Sequence, residues 1–222
     1  MQNGIWVVVL AAGDRQGAGF LTTAPAVLRD QLNIAATLAP RHRIYTVVTH
    51  EWRQRLEDPL WFLPRSNVLA QPEKVGTAHG ILLALLRISK RDPDASIVLL
   101  PSMQLAQAPH HGSFLDSIRN AALDLTNEAS NLIRVSVEPY PPDAQIIVGR
   151  TDALLNLFDP EMVSVMREID ERAPDARGEP IVGADFLERL RLPHLDFHRH
   201  VLVRERHHSL QNKLSVSAWG ST

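Results

Sequence analysis

Apolar residues occur along the chain in short, dense runs separated by polar turns. "IWVVVLAAG", residues 5–13, is rich in β-branched residues and nearly unbroken, the pattern of a strand covered on both faces. From residue 26 to 38, Val27, Leu28, Leu32, Ile34, Ala35 and Leu38 give a helical stripe, and Pro40 follows. "RIYTVVTH", "NVLAQ" and "SIVLLP" then predict a second, third and fourth strand. Between the last two lies a helix opened by Thr77, with Ile81, Leu82, Leu85 and Ile88 on one face. Arg87, Lys90 and Arg91 crowd its end, where positive charge complements the helix dipole.

A further helix is predicted over residues 113–127, followed by the strand "LIRVSVEP". After Pro142 the rhythm weakens. "AQIIVGRTDALLNLF" reads as a short strand running into a helix, "DPEMVSVMREI" as a helix with an acidic start, and "DERAPDARGEP" as a polar loop. A short helix near residues 186–190 and a closing strand in "KLSVSAW" complete the pattern. Strands alternating with helices predict an α/β fold built on a parallel, doubly wound sheet.

With 222 residues the chain is expected to form a single domain over residues 1–222. Hydrophobic residues at 45% and charged residues at 22% are values of a folded globular protein, not of a disordered one. The 23 basic and 25 acidic residues leave a formal charge of -2, so no overall positive field draws the protein to nucleic acid or to an anionic membrane. The absence of cysteine excludes disulfides, thiolate zinc sites and a cysteine nucleophile. The apolar run over residues 5–12 lacks a basic region before it and is too short to span a bilayer, which leaves a cytoplasmic protein as the expectation.

Candidate chemistry begins at "LAQPEKVGTAHGILLALL", residues 69–86, a strand end, a polar turn and a helix start. Such turns lie at the carboxyl end of the strands, where α/β sheets bind ligands. Free amides and the positive end of the helix dipole favour an anion or a carbonyl there. Spacing alone leaves two readings of Gly76-Thr77 open: a ligand turn, or a tight turn with Thr77 as helix N-cap.

The longer string "QPEKVGTAHGILLALLRISKRDPDASIVLLPS" resembles the Q-P-x-x-x-G-T-A segment, helix, D-P-D-A loop and L-P-S strand of bacterial mannose-1-phosphate guanylyltransferases, in the sugar nucleotidyltransferase superfamily. "LAAG" at residues 10–13 resembles the start of the family's glycine-rich nucleotide loop, and "LPHLDFHRHVLVRE" its segment after the active-site strands. "APRHRIYTVVTHEW" and "VEPYPP" extend the likeness over most of the chain. The resemblance implies a three-layer α/β/α Rossmann-like nucleotidyltransferase fold with a mostly parallel sheet. It also implies a guanine nucleotide or nucleotide sugar as ligand, with Ala11, Ala12 and Gly13 supplying loop backbone and Gln71, Gly76, Thr77 and Ala78 lining the base pocket.

The same resemblance exposes departures. The family loop runs G-x-G-T-R with a later P-K, whereas here it runs Gly13-Asp14-Arg15-Gln16-Gly17, and Pro25 is followed by Ala26. Arg15, two residues early, is the candidate catalytic cation. Family members hold magnesium through an aspartate after L-P-S and another in W-S-D-x-G. This chain reads Pro101-Ser102-Met103-Gln104 and Trp219-Gly220-Ser221, without either carboxylate. "VEPYPPDAQIIVGRTDALLNLF" passes directly between segments that E-K-P and W-N motifs separate in the family, removing sugar-phosphate contacts.

Other constellations point to surface chemistry. His198 and His200 would share a face on a strand, but no third ligand sits at a recognised spacing. The pairs Asp92 with Asp94 and Glu168 with Asp170 read as solvated carboxylates. No G-x-S-x-G elbow and no Walker sequence occurs. The expectation is therefore a guanylyltransferase-like domain with little or no catalysis. The alternatives are a regulatory or protein-interaction subunit that binds no nucleotide, and an enzyme recruiting other metal ligands such as Asp14.

Overall fold

The computed structural model describes residues 4–11, 25–49, 62–71, 76–101, 111–127, 132–135, 145–172, 195 and 197–202. Six strands form one sheet: β1 (Ile5–Leu10), β2 (Ile44–Thr49), β3 (Val68–Gln71), β4 (Ser96–Leu100), β5 (Leu132–Val135) and β6 (Ile146–Arg150), in the order β3-β2-β1-β4-β6-β5. The pairings of β1 with β2, β1 with β4 and β2 with β3 are parallel. Strand β6 runs against both its neighbours, so the sheet is mostly parallel with one reversed strand.

Alternate residues of each strand feed opposite layers. Val7 and Val9 face a core shared with Leu28 and Leu32 of α1 (Pro25–Leu38) and Ile118 and Ala122 of α3 (His111–Asn127). Trp6, Val8 and Leu10 face the other core, built with α2 (Thr77–Arg91), α4 (Thr151–Leu155), α5 (Pro160–Arg172) and the π-helical turn Phe197–Val201. The result is the expected α/β/α sandwich. Dense apolar runs in β1, β2 and β4 follow directly from this, because each strand is covered twice.

The central helix α2 departs from the one-faced stripe its large apolar residues suggest. It is buried without a break from Thr77 to Leu86, and again at Ile88. Small residues there let neighbours approach on several sides: a Cβ at Gly80 would overlap the Val47 side chain and the Gln71 amide. The C-terminal end of α2 is held by charge. Arg87 Nε and Lys90 Nζ each donate to the Asp170 carboxylate of α5 at 2.8 Å. Asp170 is only 7% exposed, so its sequence reading as a solvated carboxylate is corrected. Burial raises the Asp170 pKa, and hydrogen bonds and charge from Lys90 and Arg87 outweigh it, holding the carboxyl below its ordinary 3.8.

The other acidic pair is also split between partners. Asp92 accepts from the Trp6 indole at 3.0 Å, and Asp94 from Arg150 at 3.2 Å. Residues 197–201 are helical, so the alternate-residue face expected of a strand at His198 and His200 does not form. Among the described residues no group of three or more metal-ligating side chains occurs, and no helix is long and apolar enough to cross a membrane. The predicted helix at residues 186–190, the closing strand in "KLSVSAW" and the pair His207 and His208 lie outside the described residues.

Candidate functional site

The strands β1, β2, β3 and β4 end on one edge of the sheet, at Leu10, Thr49, Gln71 and Leu100. Ala11 extends β1 there, donating its N–H to Val47 O at 2.8 Å, and is buried. Gln71 closes β3, and the turn after it delivers Gly76 and α2 to the same edge. Sheet order places β2 between Ala11 and Gln71. Of the residues expected to hold a nucleotide, Ala11, Gln71, Gly76, Thr77 and Ala78 therefore gather where α/β sheets bind ligands. Ala12, Gly13 and the candidate catalytic Arg15 lie outside the described residues, as do Asp14, Met103 and Gln104.

Gly76, not Thr77, is the N-cap residue of α2, with φ 75° and ψ 178°. That backbone region is essentially reserved for glycine, and a Cβ there would also overlap the Leu195 carbonyl. Thr77 is the first helical residue, and among the described residues no side chain caps the helix. The expected Thr77 cap is replaced by a distant stretch of backbone. Ala78 N–H donates to Leu195 O at 3.0 Å, and the Thr77 hydroxyl accepts from Phe197 N–H at 3.1 Å. Phe197 is fully buried against Phe158, with ring centroids 5.7 Å apart, which anchors the stretch in the core.

Gln71 is 3% exposed and donates from Nε2 to Gly76 O at 2.7 Å, drawing the two ends of the turn together. Its Oε1 is buried without a hydrogen-bond partner among the described residues. An unpaired buried acceptor costs roughly 1–3 kcal/mol, a cost that a donor reaching it would remove. The strand-end residues Ala11, Thr49, Gln71 and Pro101 are all uncharged. Ala26, which follows Pro25, sits exposed in the first turn of α1.

Two features of this edge escape the sequence reading. Gln31 is fully buried on α1 and donates to the Pro101 carbonyl at the end of β4. Its position, three residues after Leu28 and one before Leu32, puts a polar residue on an apolar stripe, which is a legible signal of a buried polar contact. The contacts of Leu195 and Phe197 with the start of α2 join positions nearly 120 apart and leave no local signal.

No family model and no curated protein sequence matches the chain. Solved structures do resemble it. The mannose-1-phosphate geranyltransferase of Thermus thermophilus superposes with a TM-score of 0.56 and 13% identity, covering 89% of this chain and 70% of that one. The 4-diphosphocytidyl-2C-methyl-D-erythritol synthase of Anaerococcus prevotii gives a TM-score of 0.44 at 13% identity, over 77% of this chain and 83% of that one. A cytidylyltransferase from Leptospira borgpetersenii gives 0.40 at 14%, over 86% and 73%. The first likeness bears on the fold: the chain shares a Rossmann-like α/β architecture with that Thermus thermophilus protein. At these identities the comparisons speak to the fold alone.

Proposed function

We propose that the chain is a mannose-1-phosphate guanylyltransferase-like domain that binds a guanine nucleotide or nucleotide sugar at the carboxyl edge of its sheet and does not catalyse nucleotidyl transfer. The observation that carries the reading is the meeting of Gln71, Gly76 and the α2 N-terminus at that edge, with the Gln71 Oε1 acceptor unpartnered among the described residues. A base amine is the complement of such an acceptor. On this reading the chain is one domain and cytoplasmic.

The reaction of the family requires positive charge and magnesium to bring an anionic nucleophile onto a phosphate. The residues present do not fit that ion: Met103 and Gln104 stand where one aspartate is expected, and Gly220-Ser221 where the other is. Magnesium is a hard cation that takes carboxylate oxygens; a thioether is too soft to replace one, and an amide oxygen brings no negative charge. The proposed function therefore contains no metal-dependent step. Calorimetric titration with GTP and with GDP-mannose, with and without magnesium, tests the binding. Weak association, unchanged by magnesium, is expected, and no GDP-mannose should form from GTP and mannose 1-phosphate. Turnover that tracks the purified protein would overturn the inactive assignment.

A second reading, a regulatory subunit that binds no nucleotide, is favoured by one observation. The Ala78 N–H and the Thr77 hydroxyl already serve Leu195 and Phe197, so part of the polar capacity of the helix end is used by the chain itself. Absence of binding by either ligand at millimolar concentration selects it.

A further inference from the structure

The opposite edge of the sheet, where the parallel strands begin, gathers positive charge. Arg41, His42 and Arg43 form the 3-10 turn into β2, Arg65 opens the turn into β3, and Lys90 and Arg91 end α2. Strand register brings these turns together, with Ile5 opposite Ser96, Val7 opposite Ile44 and Thr46 opposite Val68. The whole chain carries -2, so this concentration is a product of the fold and not of composition.

Two of the arginines are seated on one indole. The Arg43 guanidinium fills the space that a side chain at Gly4 would occupy and lies 5.9 Å from the Trp6 ring. Arg91 lies 4.7 Å from the same ring. Of the carboxylates at this edge, Asp170 is paired with Arg87 and Lys90 and Asp94 with Arg150, while Asp92 accepts from the indole N–H of the same Trp6. Among the described residues Arg43, Arg65 and Arg91 have no carboxylate partner. Two guanidinium groups drawn to one ring repel each other, and an anion beside both relieves that repulsion.

We propose that this edge is a docking surface for a carboxylate-rich segment of a partner protein. Guanidinium forks held by packing suit bidentate carboxylates, and less side-chain freedom is lost on binding. Nucleic acid fits the edge less well. Trp6 and Tyr45 are buried, at 2% and 3% exposure, so neither provides a stacking platform for bases. The surface lies away from the proposed nucleotide edge and does not depend on nucleotide binding.

Fluorescence anisotropy of the full chain with a labelled Glu/Asp-rich peptide tests the proposal, against its Gln/Asn counterpart and a single-stranded DNA of equal length. Binding of the acidic peptide alone is expected, weakening with salt and by about tenfold in Arg43→Gln/Arg91→Gln. Because Arg43 and Arg91 also pack on Trp6, the exposed Arg65→Gln serves as a second variant, with a several-fold loss expected and an unchanged circular dichroism spectrum. Failure of the acidic peptide to bind at low salt, equal binding by folded variants, or tighter binding of DNA would each overturn the assignment.

Discussion

The two ends of α2 are secured by different physics. At the N-terminal end the partners are neutral: Leu195 O takes the Ala78 N–H, Phe197 N–H meets the Thr77 hydroxyl, and Gly76 supplies the required backbone shape. At the C-terminal end the partners are ions, with Arg87 and Lys90 converging on Asp170. Both arrangements complement the helix dipole, since a carbonyl oxygen meets its positive end and cations meet its negative end. The difference lies in what disturbs them. The neutral end is sensitive to backbone geometry and to ligands, while the ionic end is sensitive to pH and salt.

The largest effect should come from Gly76→Ala, which forces a Cβ into a glycine conformation and against the Leu195 carbonyl. A loss of about 3 kcal/mol is expected from urea denaturation. Asp170→Asn comes next, leaving Arg87 and Lys90 without their carboxylate, at a cost of about 2 kcal/mol near neutral pH. The sign with pH follows from the depressed native pKa of Asp170. The contribution is complete above the ordinary 3.8 and is lost as pH falls from there through the lower native value. Stability curves of wild type and Asp170→Asn should therefore converge in acid, and a gap that persists unchanged would contradict the ionic account of this end. Smallest is Thr77→Val, which keeps the volume but removes the hydroxyl that accepts from Phe197, for about 1 kcal/mol without pH dependence.

Much of this architecture was legible in the sequence because it is written locally. The β-branched runs of β1, β2 and β4 announce strands covered on both faces, and the stripe of α2 announces a helix between β3 and β4. The reversal of β6 was not legible, since "IIVGR" has the same buried pattern in either direction. Asp170 read as solvated because its partners lie 83 and 80 residues away. The error at Thr77 has a similar cause: Gly-Thr before a helix is a sound capping signal, and the competing partner, Phe197, is remote in sequence. The sequence resemblance implies a place for Gln71 in a base pocket. Its Nε2 is committed to Gly76 O, and its Oε1 is buried beside Gly80 without a hydrogen-bond partner among the described residues.

The same contrast between the ends of α2 locates the proposed ligand. Site-resolved amide hydrogen exchange, with and without saturating GTP, measures the two ends within one helix and one experiment. The account predicts slower exchange over residues 76–80 when GTP is bound, with residues 87–91 unchanged. Unchanged exchange at residues 76–80, or slowing confined to the Arg87 end, would contradict a nucleotide site at the carboxyl edge of the sheet.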